Sequence, residues 1–361
     1  MMEINKVVDS YALGKEHPSK RVGWLDTTRA IAVFCIVLGH TLRGKSIYYF
    51  LYAFHVPLCI VVTGICYRYT LNRKIRIIKL FRNIYQPYLM YSILSIVIYA
   101  LAGNYLGEKN TIKQIPKFLI GMFYGNGNLG MADGGWMKYN LPLWYLPFLL
   151  VLEILVGEIY ELIRRDRDEL KFDLLMVVVA TIVGGILYYT LPKEIELPCG
   201  IETVFYLLPF FFVGRVFSFF ATAQPNMGNK KNDRLILGAS LFFAGYTMRR
   251  LNGSADYVSD AYGKNYFCFI LTATLLSIGI CYMLSALPKC KTLEKVGQST
   301  LTVLGLHKFF VLGCTAFLIP KINIKNDGFY LVVSIVCAIG SVMGCMSVHK
   351  LIILVKKRLR K

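Results

Sequence analysis

The stretch Arg21-Val-Gly-Trp-Leu-Asp26-Thr-Thr-Arg29-Ala-Ile-Ala-Val-Phe-Cys-Ile-Val-Leu-Gly-His40-Thr41 reads as an apolar membrane helix, yet it carries Asp26, Arg29 and His40. On a helix, eleven residues turn through about 1100°, three turns plus roughly 20°, so Arg29 and His40 share one stripe. Their rise of about 16 Å is roughly half a hydrocarbon layer. They cannot touch, but they suit the two ends of one long ligand. Asp26 lies three residues before Arg29, within a turn of the same stripe. Ionisable groups at such depth are costly and usually face a bundle interior or a watery cavity. The plainer alternative is an interfacial Asp26–Arg29 pair with His40 capping the outer end.

Of the 361 residues, 56% are hydrophobic and 17% charged, more apolar than a soluble domain. The apolar residues fall in blocks of about twenty, long enough to cross a bilayer. The ten cysteines show no Cys-x-x-Cys pair and no zinc spacing, and read as small buried hydrophobes. No metal is expected. Residues 1–23 have no apolar core or small-residue cleavage site, so no signal peptide is expected.

The blocks predict an all-α integral membrane protein of about ten helices at 25–43, 47–66, 84–103, 144–163, 172–190, 200–220, 235–250, 265–286, 299–319 and 329–349. Residues 1–24 form a cytoplasmic tail, 25–349 the membrane domain and 350–361 a basic cytoplasmic tail. An even number of spans puts both termini on one side. With the termini inside, the inner segments carry 26 Lys and Arg and the outer ones 12, as the positive-inside rule requires. That placement accounts for the net charge of +20 without a nucleic-acid partner. No soluble domain is expected. The longest inter-span segment, 104–143, is rich in Gly and Asn and reads either as a binding loop or as a tolerated insertion. A helical piece near Ile112–Phe123 would lie along the membrane surface. Asn252-Gly-Ser254 fits a glycosylation acceptor, a pattern that is common by chance.

Several clusters carry chemistry. Arg73, Arg76, Lys79 and Arg82 follow at intervals of three, a row on one helix face, with Ile75, Ile78 and Leu80 as the membrane-facing side. The row is either an anchor for anionic lipid heads or a clamp for phosphates. His55 falls in the outer half of the second span, where Pro57 kinks the helix; it is either structural or part of a site shared with His40. Trp144 and Tyr145 open the fourth span as interface aromatics or as a stacking platform for a sugar. Glu153 in that span needs a cation, and Arg215 and Lys308 are the candidates. His307-Lys308, halfway along the ninth span, points to an internal cavity.

These residues resemble one family. Trp24-Leu-Asp26-x-x-Arg29-x-Ile-Ala followed by Val37-Leu-Gly-His40-Thr41 resembles the opening signature of the membrane-bound acyltransferase-3 family, nearest its fucose 4-O-acetylase-like branch. Phe54-His55-Val-Pro57-Leu with Thr63-Gly64 is similar to the branch's Phe-His-Met-Pro-Leu…Ser-Gly pattern. Leu143-Trp144-Tyr-Leu-Pro147 and Gly297-x-Ser-Thr-Leu…Leu306-His307 resemble two later elements. Val56, Thr63 and Cys59 depart from the pattern at packing positions.

The resemblance implies a ten-helix fold that moves acyl groups from acyl-CoA onto hydroxyls of extracytoplasmic glycans. It places the family's Arg-x10-His pair on Arg29 and His40 and its cytoplasmic Arg-x-x-Arg on Arg73 and Arg76. The expected co-substrate is acetyl-CoA or another acyl-CoA, held by Arg73, Arg76 and Arg29. The expected partners are a carbohydrate acceptor on the outer face and membrane lipids, in a bacterial cytoplasmic membrane. His40, titrating near neutrality, either takes the acceptor's proton or first carries the acyl group itself. Asp26 pairs with Arg29, and His55, Trp144, Glu153 and His307 line the acceptor side. A transporter or flippase of a lipid-linked sugar is the rival reading, disfavoured because no paired halves with matching broken helices are visible.

Overall fold

Along α1, Gly23–Thr41, the polar side chains Asp26, Thr27, Thr28 and Thr41 are buried together with Ala32, Val33 and Val37. The computed structural model describes residues 22–42, 44, 46–103, 111–130, 135–163, 169–222, 230–257, 259–319, 322 and 326–358. The expected N-terminal tail therefore lies outside the described residues except for Val22 to Trp24. So do 104–110 and 131–134 of the Gly- and Asn-rich segment, and the last three residues of the chain.

The second predicted span is two helices, α2 (Ser46–Leu51) and α3 (His55–Cys66), separated by a turn at Tyr52 to Phe54. Pro57 thus sits in the first turn of α3, where its missing N–H costs no bond, and the expected Pro kink is instead a break before it. The third begins earlier than its hydropathy suggests. Asn72 accepts a bond from the Ile75 amide at 3.1 Å and starts α4 (Arg73–Leu80), which continues through a π turn at Phe81–Tyr85 into α5 (Gln86–Ala102). The row of cations is thus the first three turns of one long helix, with Arg82 in the π turn. Its apolar partners Ile75 and Leu80 are buried in the protein, which corrects the expectation that they face the membrane.

The remaining elements are α6 (Ile115–Tyr124), a 3-10 segment Lys138–Trp144, α7 (Tyr145–Ile163), α8 (Glu169–Thr190), α9 (Ile201–Thr222), α10 (Lys230–Asn252), α11 (Tyr266–Ala286), α12 (Lys291–Gln298), α13 (Thr300–Gly313) and α14 (Asp327–Arg358). Among the described residues, one two-stranded ladder joins Ala255 to Tyr262 and Asp256 to Ala261, antiparallel, between α10 and α11.

Among the described residues, seven helical segments are long and apolar enough to cross a membrane: Ser46–Cys66, Arg73–Ala102, Glu169–Thr190, Pro198–Ala221, Tyr266–Ala286, Thr300–Phe317 and Asp327–Val355. Their apolar side chains are turned outward as well as inward. On α8, Leu175, Val178, Val179, Ile182 and Ile186 are exposed, whereas Asp173 is fully buried. That inversion suits a lipid solvent, in which polar groups gain by facing the bundle. The protein is a multi-pass helical membrane protein. At three further predicted positions stand long helices that carry charges, α1, α7 and α10.

The core is organised around α1, which packs against α3, α11, α12, α13 and α14. Its closest approach is to α12, where a Cβ on Gly297 would fall on the backbone carbonyl of Asp26. Gln298, the next residue, donates through Nε2 to Asp26 Oδ2 at 3.2 Å. Replacing Gly297 by Ala must push the two helices apart, at a cost of about 1–3 kcal/mol. The Gly297→Ala protein is therefore expected to melt lower in detergent. Gly340→Ala, where a new Cβ meets nothing within 4 Å, should melt no lower than the parent. Equal melting of the parent and Gly297→Ala would contradict the close α1–α12 contact.

Candidate functional site

At one end of α1, Arg29 Nη1 donates to Asp26 Oδ1 at 3.0 Å, and Asp26 is 2% exposed against 35% for the Arg29 side chain. Arg29 thus has its counter-charge beside it and still reaches a cavity. That cavity, of about 320 Å³, is lined by Arg29, Thr63, Tyr67, Arg68, Arg76, Lys79 and Glu153, among others. Its volume is within the range of small-molecule sites. Four cations against one carboxylate mark it for an anionic ligand.

Arg76 is the anchor of this wall. It is 5% exposed, its Nη1 donates to the Thr70 carbonyl at 3.2 Å, and its Nη2 donates to Glu158 Oε1 at 2.9 Å and Glu161 Oε2 at 2.8 Å. Arg73 Nε donates to the same Glu158 oxygen at 3.0 Å. A Cβ on Gly157 would collide with the Arg76 guanidinium, so that glycine gives the side chain its path along α7. Among the described residues, the buried Arg76 Nε has no hydrogen-bond partner. The two arginines therefore share a face, as their spacing requires, and in this state two carboxylates of α7 hold them. Glu158 and Glu161 carry no sequence signal beyond their position on an amphipathic turn.

Glu153 lines the cavity but pairs with neither cation expected for it. Arg215 is bound to Asp173 at 3.3 Å and Glu169 at 3.4 Å, and donates to the Tyr67 carbonyl at 3.1 Å. Lys308 donates to the carbonyl of Lys138.

The other end of α1 holds a second group of polar residues. The ring of His40 lies 5.3 Å from that of His307, centroid to centroid, with planes inclined by 31°. His307 is fully buried on α13. His55 does not join them directly. It opens α3 with Nδ1 2.8 Å from the Leu51 carbonyl, and its ring packs between Tyr52 at 4.5 Å and Tyr257 at 5.4 Å. Tyr52 packs in turn on Gly39, the residue before His40. Tyr257 lies in the loop after α10 and was not legible as a site residue.

Trp144 borders a pocket together with Gly125, Asn126, Gly127, Asn128, Gly200, Thr203 and Tyr257. Its free volume of about 10 Å³ holds a single water molecule and no sugar ring. Beneath it, Asp260 accepts from Tyr262 Oη at 2.6 Å, Thr203 Oγ1 at 3.0 Å and Asn128 Nδ2 at 3.4 Å. Asn126 Nδ2 donates to Glu202 Oε1 at 2.8 Å. These bonds fasten the Gly- and Asn-rich loop to the start of α9. Among the described residues, no group of three or more His, Cys, Asp or Glu is arranged to hold a metal ion.

A bundle of apolar helices with paired charges inside, a cationic cavity at one end of α1 and two imidazoles at the other describes a membrane-embedded enzyme of group transfer. A family model described as an acyltransferase domain matches residues 22–349, and the chain belongs to that family, acyltransferase-3. The protein is a membrane acyltransferase. No curated protein and no solved structure matches the chain.

Asp260 supplies a test of the loop's anchoring. Burial pushes its carboxyl up from 3.8 to about 6, against the hydrogen bonds from Tyr262 and Thr203 that favour the anion. A raised carboxyl pKa means that the folded state binds the proton more tightly than the unfolded state. The stability it contributes is complete below about 4 and is lost as pH rises through about 6. Thermal melts of the parent should therefore fall between pH 4 and 7 relative to those of Asp260→Asn, whose side chain does not titrate. Parallel pH profiles would contradict a buried Asp260.

Proposed function

We propose that this acyltransferase is an O-acetyltransferase of the fucose 4-O-acetylase-like branch, which moves an acetyl group from cytoplasmic acetyl-CoA to a hydroxyl of an extracytoplasmic glycan or lipid-linked sugar. The observation that carries the reading is the cavity lined by Arg29, Arg68, Arg76 and Lys79. Guanidinium and ammonium groups in that number suit the phosphates of a nucleotide thioester. Arg76 and Arg73 grip the phosphates, and Arg29, farther in, orients the arm that bears the thioester. The buried, unpartnered Arg76 Nε is a donor ready for such a ligand.

The acceptor side is the His40 end. A sugar hydroxyl is a poor nucleophile and needs a base beside it, and an imidazole titrating near neutral pH is suited to take that proton. Trp144 is the aromatic face offered to a sugar, and buried His55 supports the His40 end through Tyr52, which packs on Gly39. His40 is too far from Asp26, at roughly 21 Å of helical rise, to be oriented by that carboxylate. Asp26 instead fixes Arg29 and offsets its desolvation.

The positive-inside count supports ten spans with both termini and the Arg73–Arg76 cluster on the cytoplasmic side of a bacterial plasma membrane. The donor thus enters where acetyl-CoA is made.

Calorimetry with acetyl-CoA on the purified protein tests the donor assignment. The parent and His40→Ala should bind alike, with His40→Ala inactive in transfer. Arg73→Ala/Arg76→Ala should lose about tenfold or more in affinity, the equivalent of one charge-assisted contact. Glu158→Gln should bind more tightly than the parent, because Glu158 competes with phosphate for both arginines. No binding by well-folded parent protein would overturn the assignment, as would full transfer by His40→Ala.

A further inference from the structure

His307 sits opposite His40 across the α1–α13 contact and its chemistry is set by its own helix. Its Nδ1 lies 2.8 Å from the Val303 carbonyl oxygen. A carbonyl only accepts, so Nδ1 carries the proton and Nε2 keeps the lone pair. That Nε2 is buried and no described group bonds to it, although buried polar atoms are ordinarily paired. The neighbouring cation, Lys308, points to the Lys138 carbonyl. The ring that faces His307 is His40, half-buried in the last turn of α1.

Two imidazoles joined edge to edge by an N–H···N bond of about 3 Å have centroids about 5 Å apart. The observed 5.3 Å matches that separation, with the ring planes inclined by 31°. His307 is fully buried and tied to the Val303 carbonyl, so its Nε2 is fixed in place on the side of His40.

We propose that His307 is the positioning partner of His40: its Nε2 accepts the N–H of the His40 imidazole and so turns the opposite lone pair of His40 toward the acceptor hydroxyl. The proposal rests on the acyl-transfer reading above. A general base of this type needs a fixed acceptor behind it, the part that a carboxylate plays in hydrolytic triads. Here Asp26 lies at the far end of the helix and a second imidazole takes that part. In the reaction, His40 removes the hydroxyl proton as the oxygen attacks the thioester carbonyl. The C–O bond forms, the C–S bond breaks, and the proton passes from His40 to the departing sulfur. His307 keeps its Nδ1 proton, hydrogen-bonded to the Val303 carbonyl, throughout, so the exchange balances without it.

The test uses the full chain in nanodiscs, with ¹⁵N-labelled histidine and acetyl transfer measured on the same samples. The His40 signals are assigned by their loss in His40→Gln. In the parent, His40 should show one tautomer with a bonded N–H. In His307→Phe it should become a mixture, with kcat lowered about a hundredfold, the usual worth of a positioned base, and KM for acetyl-CoA unchanged. His307→Gln, whose amide oxygen can accept, should recover part of kcat; it also serves if the Phe variant fails to fold. An unchanged kcat in His307→Phe, or a His40 signal indifferent to both variants, overturns the proposal. A parent that transfers no acetyl while its His40 signal responds to His307 refutes the reaction and leaves the pair. Transfer without that response refutes the pair and leaves the reaction.

Discussion

A guanidinium inside an apolar bundle persists only where a counter-charge is close enough to offset its desolvation, and the Asp26–Arg29 pair supplies that condition at the centre of this fold. Asp26 does more than neutralise. Its other carboxylate oxygen receives Gln298 and its backbone carbonyl lies under Gly297, so one residue binds α12 to α1 by charge and by shape. Because α1 also touches α3, α11, α13 and α14, the position of Arg29 in its cavity is fixed by most of the bundle. A charge pair of this kind adds little net stability. Its contribution is to define where a cation may face a ligand.

The same helix separates two kinds of chemistry by its length. Arginine side chains gather at the Asp26 end and two imidazoles at the His40 end, with an apolar run from Ala30 to Gly39 between them. Phosphate binding needs charge that does not titrate, whereas proton removal needs a group poised near neutral pH. Placing both on one rigid rod sets the distance between them without any loop. Carboxylates of α7 already hold Arg73 and Arg76, so any anion bound by these arginines would have to compete with them.

Much of this was legible in the sequence. The Arg29–His40 stripe, the Arg73–Arg76 face and the positions of the long helices follow from helical periodicity, which acts locally. The break at Tyr52 to Phe54 and the early start of α4 at Asn72 escaped hydropathy, because end-capping bonds rather than apolar content set those boundaries. The partners were harder still. Arg215 pairs with Asp173 and Glu169, Arg76 with Glu158 and Glu161, and the His40 ring lies beside that of His307, and each contact joins segments far apart in the chain. Glu153 shows the converse, a half-buried carboxylate that borders a cationic cavity instead of closing a salt bridge. Such pairings depend on which helices neighbour one another, and periodicity carries no information on that.

The central claim is that donor and acceptor occupy opposite ends of α1 and therefore opposite faces of the membrane. Proteoliposomes containing uniformly oriented protein, with labelled acetyl-CoA sealed on one side and a glycan acceptor on the other, test it most directly. The account predicts labelled glycan only when acetyl-CoA is on the face that carries Arg73 and Arg76. Equal labelling with donor and acceptor together on the opposite face would contradict it.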